Sequence, residues 1–252
     1  MIIEKRCLEN DFDLPMTQEL DILIATSATV AFLHTLFGPD HYLPFIAMGK
    51  ARRWTMMKTS LITIMGGVGH VLGSVVLGMI GVLAGLGIQK VSRLETVRGG
   101  LAGWLFIAFG LVYMVWGLRR AWLNKPHSHL HVHAEGVQHD HVHVHRDDHV
   151  HVHDVEEKKN ITPWVLFTIF VLGPCEPLIP IVMYPAARGN YGELVITVLV
   201  FGIVTILTML ALVLGTLFGL NLMPLGKMER YMHALAGGTI LFSGISIVFL
   251  GW

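Results

Sequence analysis

The chain has 252 residues, 53% of them apolar and only 14% charged, a mean hydropathy of +0.61, and eighteen Lys and Arg against eighteen Asp and Glu. That composition excludes an ordinary soluble domain, and the zero net charge offers no basic footprint for nucleic acid. A polytopic, all-α integral protein of the plasma (inner) membrane is the class left.

Residues 1–19 carry Glu4, Glu9, Asp11, Asp13 and Glu19 against Lys5 and Arg6, the wrong charge for the basic start of a cleavable signal, so they are read as an extracytoplasmic segment. Stretches with little or no charge then recur at 22–37, 59–89, 99–118, 161–187, 194–226 and 231–252. Most reach or exceed the roughly 20 residues that a spanning helix needs, which predicts six spans. A polar tract at 121–160 divides them into a three-helix unit over 20–120 and a second over 161–252. An outside N-terminus leaves twelve Lys and Arg on cytoplasmic loops and six outside, the favoured distribution. Both termini are then extracytoplasmic and the polar tract is cytoplasmic.

In the first unit GPDHYLPFIAMGKARR, from Gly38, aligns with GPCEPLIPIVMYPAAR, from Gly173, in the second. Further on, Glu95, Leu101, Ala102, Gly103, Gly110 and Gly117 fall on Glu229, Leu235, Ala236, Gly237, Gly244 and Gly251. Two repeats of three spans must be inverted with respect to each other, an architecture of membrane carriers whose sites lie where the halves meet. Gly38-Pro39 and Gly173-Pro174 are each expected to break a helix, because proline removes an N–H from the ladder and clashes with the preceding turn. Pro44, Pro177 and Pro180 reinforce this.

The residues at the breaks carry the chemistry. Apart from Asp21 at a span edge, Asp40 and Glu176 are read as the only acidic residues within or beside the spans, and buried carboxylates usually mark an ion or proton path. With His34, His41 and Cys175 beside them, they make a donor set suited to a divalent transition metal. On an unbroken helix His34 and His41 would stand about 10 Å apart along the axis, so one ion can join them only if the helix breaks. His70, in GGVGHVLGS, either joins this site or bonds across a glycine-lined helix contact, and Cys175 is either a soft ligand or an inert buried thiol. His233, near a span end, is read as interfacial.

Eleven of the fifteen histidines lie in the cytoplasmic tract: His127, His129, His131, His133, His139, His141, His143, His145, His149, His151 and His153. Mostly alternating with other residues, they are read as an auxiliary trap for metal ions. The expected partners are the metal ion and the lipid bilayer. No permanent cofactor is expected, and a cytoplasmic metal chaperone and homo-oligomerisation stay open, since glycines such as Gly69 and Gly73 serve internal helix contacts as well as dimers.

His34, Asp40 and His41, in HTLFGPDH, resemble the signature of the nickel/cobalt transporters, and the six-span plan with a histidine-rich loop resembles their efflux relatives. Five residues separate His34 from Asp40 where the permease signature has four. This resemblance, within a wider group that includes the DsbD/CcdA and LysE types, implies a secondary transporter exporting nickel, cobalt or zinc, with His34, Asp40 and His41 as ligands. GPCEPLIP resembles the Pro-Cys-x-x-Pro-x-x-Pro segment of membrane thiol carriers of the DsbD/CcdA type, which use one cysteine in each half. Here Asp40 occupies the first of those positions, and the other cysteine is Cys7, ahead of the first span. Metal transport is therefore the leading expectation. The alternatives are a thiol–disulfide electron carrier, a metal-sensing or accessory membrane protein, and a sulfur-anion exporter.

Overall fold

The computed structural model describes residues 16–123, 127–132, 138–143, 162–223 and 226–250. Cys7, His133, His145, His149, His151 and His153 lie outside the described residues. Helix α1 (Met16–Phe37) is followed by a single 3-10 turn (Pro39–His41) and a short α2 (Leu43–Ala51). Two long helices, α3 (Met56–Leu83) and α4 (Ile88–Leu123), complete the first half. The second half has a pair of short helices, α5 (Thr162–Val171) and α6 (Leu178–Ala187), then α7 (Tyr191–Leu222) and α8 (Met232–Ile245). A 3-10 stretch (Gly226–Tyr231) precedes α8, and one π turn (Ser246–Leu250) follows it.

Among the described residues, five helical segments are long and apolar enough to cross a bilayer: Gln18–Phe37, Met56–Leu83, Ile88–Leu123, Tyr191–Leu222 and Met228–Leu250. The remaining predicted span, 161–187, is two ten-residue helices with a gap between them. Pro174 and Pro177 supply no N–H across that gap, so the ladder cannot continue. The ends of the long helices are defined by side chains and by glycine. Thr55 accepts a hydrogen bond from the Lys58 N–H at the start of α3, and Asn190 accepts one from the Glu193 N–H at the start of α7. Gly85 and Gly189, at φ of +62° and +73°, close the turns after α3 and α6 where a side chain would be strained.

The two halves interlock reciprocally. α1 packs on α7 while α3 packs on α5 and α6, α3 meets α7, and α4 lies along α8. Glycines let the last pair approach closely: a Cβ on Gly237 would run into the Met114 backbone, and one on Gly244 would lie 2.7 Å from the Gly103 carbonyl oxygen. Gly69 likewise faces Val171 and Phe167 of α5 within the chain. The outer surface is apolar, with Val112, Trp122, Leu222 and Phe249 all about two-thirds or more exposed, as expected of side chains facing lipid.

Polar contacts gather at the two ends. At one, Arg53 pairs with Glu229 at 2.6 Å, Lys50 donates to Asn221 Oδ1 at 2.7 Å, and the Arg52 guanidinium lies over Tyr113 and Trp116. At the other, Arg188 pairs with Glu19 at 2.8 Å.

The histidine tract departs from the expected loop. β1 (His127–Val132) and β2 (Gln138–His143) form an antiparallel hairpin whose register places His127 opposite His143, His129 opposite His141 and His131 opposite His139. An alternating sequence has the period of a strand, and valine favours extended backbone, so the pattern read as a ligand array also encodes local pairing.

Candidate functional site

The first break is made by Gly38. Its N–H closes α1 on the His34 carbonyl at 2.9 Å, and the Pro39–His41 turn then folds back. That reversal brings the His41 ring onto the His34 ring, with 4.6 Å between centroids. The two histidines that an unbroken helix would hold far apart are therefore in contact, as the break was expected to allow. A Cβ on Gly38 would sit 2.5 Å from His41 Nδ1 and 2.9 Å from the His34 carbonyl oxygen, so the reversal depends on glycine. Asp40 and His41 are both buried, and Asp40 Oδ1 lies 3.2 Å from His41 Nδ1, which is also 3.2 Å from the Gly38 carbonyl oxygen.

The second break is clamped from α3 and α4. Glu95, fully buried on α4, accepts through Oε1 from the Cys175 backbone N–H at 2.9 Å, from Ser74 Oγ at 2.6 Å and from Arg98 Nη2 at 2.6 Å. Arg98 Nη2 also donates to the Gly173 carbonyl at 2.9 Å. Backbone groups that the missing helix turn would have paired are thus taken up by side chains, as burial demands.

Glu95 corrects the expectation that Asp40 and Glu176 are the acidic residues of the spans; Glu193, on α7, is buried as well. The charge-free window that defined the third span began at residue 99, whereas α4 starts at Ile88. Glu95 and Arg98 stand one helical turn apart and neutralise each other, which lets a charged turn lie inside the bundle. That spacing was the available signal.

Between the breaks, His34, His70 and Cys175 converge, each offering one ligand atom within 4.8 Å of the others. His70 comes from α3, its ring 5.0 Å from that of His41, with Nδ1 3.3 Å from the Phe170 carbonyl oxygen. Cys175 is fully buried. Nε2 of His34, His41 and His70 are all buried without a hydrogen-bond partner among the described residues. Of the predicted set, Asp40 reaches this cluster through His41, and Glu176 does not: it is exposed and accepts from Thr96 Oγ1 at 2.7 Å. His233 is remote, 2.8 Å from the Tyr113 hydroxyl. Two imidazoles beside one thiol, with the His41 ring against both of them, can exchange its proton or share a cation with it.

The family described as cytochrome C biogenesis protein transmembrane region matches residues 44–246. No curated protein and no solved structure matches the chain. The family match overturns the resemblance to the nickel/cobalt transporters, and with it the expected export of nickel, cobalt or zinc and the transported ion itself. His34, Asp40 and His41, which carried that resemblance, precede the matched residues, whereas Cys175 and its Pro-Cys segment lie inside them. The Pro-Cys segment at Cys175 is the motif that agrees with the family, whereas the histidine-rich tract and the six-span layout do not distinguish it from the transporters.

Proposed function

The chain belongs to the cytochrome C biogenesis protein transmembrane region family, and from that premise we propose that it is a membrane carrier of thiol electrons working through Cys175. The observation that supports this reading most directly is the position of Cys175: it stands at the break of the second half, under imidazoles able to take its proton. Asp40 occupies the position of a first-half cysteine, so the carrier borrows its resolving thiols from partners. The Cys175 thiolate attacks the disulfide of an acceptor protein, forming a mixed disulfide and releasing one acceptor thiolate. A dithiol donor then attacks the Cys175 sulfur and releases the acceptor's second thiolate. The donor's remaining thiol closes its own disulfide and frees Cys175. Two electrons and two protons pass from donor dithiol to acceptor disulfide.

In this reading the partners are thioredoxin-like dithiol proteins and the lipid bilayer, and the chain itself turns over no small-molecule substrate. The inverted three-span repeats expected over 20–120 and 161–252 would let the chain open to either face, and the reciprocal packing of the halves supports that arrangement. Both termini lie outside and residues 121–160 face the cytoplasm. The meeting of Arg53, Lys50 and Arg52 at one end of the bundle supports this orientation.

The test is acid quenching of native membranes followed by alkylation with a maleimide that adds mass, in a Cys7→Ser background. A mixed disulfide that collapses with dithiothreitol and vanishes in Cys175→Ser, together with lost cytochrome c maturation in that variant, is expected. Cys175 always reduced, with Cys175→Ser supporting full maturation in cells lacking the chromosomal copy, would reject the carrier.

A further inference from the structure

We propose that His34, His70 and Cys175 form a binding site for one resident Cu(I) ion. This goes beyond the thiol-carrier reading and does not depend on it; the ion is a bound constituent of the resting site rather than a cargo, and it must leave the sulfur before Cys175 exchanges.

The first argument is the state of the nitrogens. A buried polar atom without a partner is costly, and among the described residues His34 and His70 each carry an unpartnered Nε2 while each ring offers a nitrogen within 4.8 Å of the Cys175 sulfur. Such a cost is rarely concentrated without something to offset it. The second is the tautomer. With Nδ1 3.3 Å from the Phe170 carbonyl oxygen, His70 carries its proton on Nδ1 and leaves the Nε2 lone pair free, the arrangement of a metal-bound histidine. That carbonyl belongs to the last full turn before the second break, so the break itself fixes the ligand.

The third argument concerns geometry. Nitrogen and sulfur bound at about 2.0 and 2.3 Å to one three-coordinate ion stand about 3.7 Å apart. The widest pair here, within 4.8 Å, needs to close by about 1 Å, which side-chain rotation can supply. The ligands come from α1, α3 and the gap between α5 and α6, so an occupied site would fasten both halves of the chain.

Charge and coordination number select the ion. A thiolate with two neutral imidazoles around Cu(I) is a neutral unit, suited to a pocket sealed from water. The buried charges of the two breaks already have partners: Asp40 lies beside His41 and Glu95 beside Arg98. Zn(II) would leave one positive charge and would want a fourth ligand, whereas thiolate and imidazole together suit Cu(I) with three.

The full-length protein in detergent would be equilibrated anaerobically with Cu(I) held by a bathocuproine chelator at a level that strips solvent-facing histidines. Bound copper would then be counted and its ligands read by X-ray absorption. One retained equivalent with a copper–sulfur shell is expected, with both lost in Cys175→Ser and in His70→Gln. If Cys175→Ser does not fold, His70→Gln alone carries the test. No retained copper, a shell of nitrogen only, or retention unchanged in His70→Gln overturns the site. Zn(II) held through sulfur in preference to Cu(I) overturns the assignment of the ion. Disulfide exchange plays no part in these readouts, so failure of the metal site and failure of the carrier are separate results.

Discussion

The backbone N–H of Cys175 donates to the carboxylate of Glu95 across 2.9 Å, joining the break of the second half to the middle of the bundle. The carboxylate oxygen that holds this N–H also receives Ser74 and Arg98, so one buried charge sets the position of the thiol. Replacing Glu95 with glutamine removes that charge and leaves Arg98 without its counter-ion. Breaking a buried pair in this way costs about 3–5 kcal/mol. The fall should appear as a lower midpoint of thermal unfolding in detergent. Thr96→Val removes only exposed bonds, to Glu176 and to the Ser92 carbonyl, and should change stability by less than about 0.5 kcal/mol. Equal effects from the two substitutions would show that the clamp does not matter.

The two breaks differ in how tightly they are built. At Gly38 an added methyl would stand 2.5 Å from His41 Nδ1, while at Gly173 the nearest atom is the Phe170 carbonyl oxygen at 3.0 Å. Gly38→Ala must therefore displace the His41 ring or the turn itself, at about 1–3 kcal/mol, and Gly173→Ala should cost less. The order of the two melting points checks this, and the reverse order would refute the role given to Gly38.

The breaks were legible because Gly-Pro is a local signal: it ends a helix whatever surrounds it. The meeting of His34 with His41 was legible as a consequence of the break. The meeting of His70 with Cys175 was legible only as one of two alternatives, since it depends on α3 packing against α5 and α6, and the Phe170 carbonyl beside His70 is a hundred residues away in sequence. Glu95 was lost by reading charge-free windows as helix limits, when a carboxylate neutralised one turn later can sit well inside. The histidine tract misled in the opposite direction. Its composition is conspicuous, but its described residues form a hairpin and none of them joins the site, and it pointed to a cargo that the family match does not support.

The paired glycines of α4 and α8 could have served a dimer or an internal seam, and the structure places them in the seam. A Cβ on Gly237 would collide with the Met114 backbone, which cannot move aside as a side chain can. Gly237→Ala should therefore push α4 and α8 apart and lower the unfolding midpoint. On α7, a Cβ at Gly219 would meet nothing within 4 Å, so Gly219→Ala should be neutral or slightly stabilising through the helical preference of alanine. A loss of stability at both positions would mean that the outer face of α7 is covered by another chain.

Cys175 is fully buried, and the groups that surround it come from α1, α3 and α4. Thiol exchange needs the sulfur and an incoming sulfur in line, so the resting arrangement cannot react without opening the gap between α5 and α6. In a Cys7→Ser background, alkylation of Cys175 in native membranes should be slow and should become complete in sodium dodecyl sulfate. Glu95→Gln, by releasing the Cys175 N–H from its carboxylate, should speed the native reaction. Faster labelling in that variant at a temperature well below its lowered unfolding midpoint would place the effect in local opening of the break. Rapid labelling of the parent protein would contradict a sealed thiol.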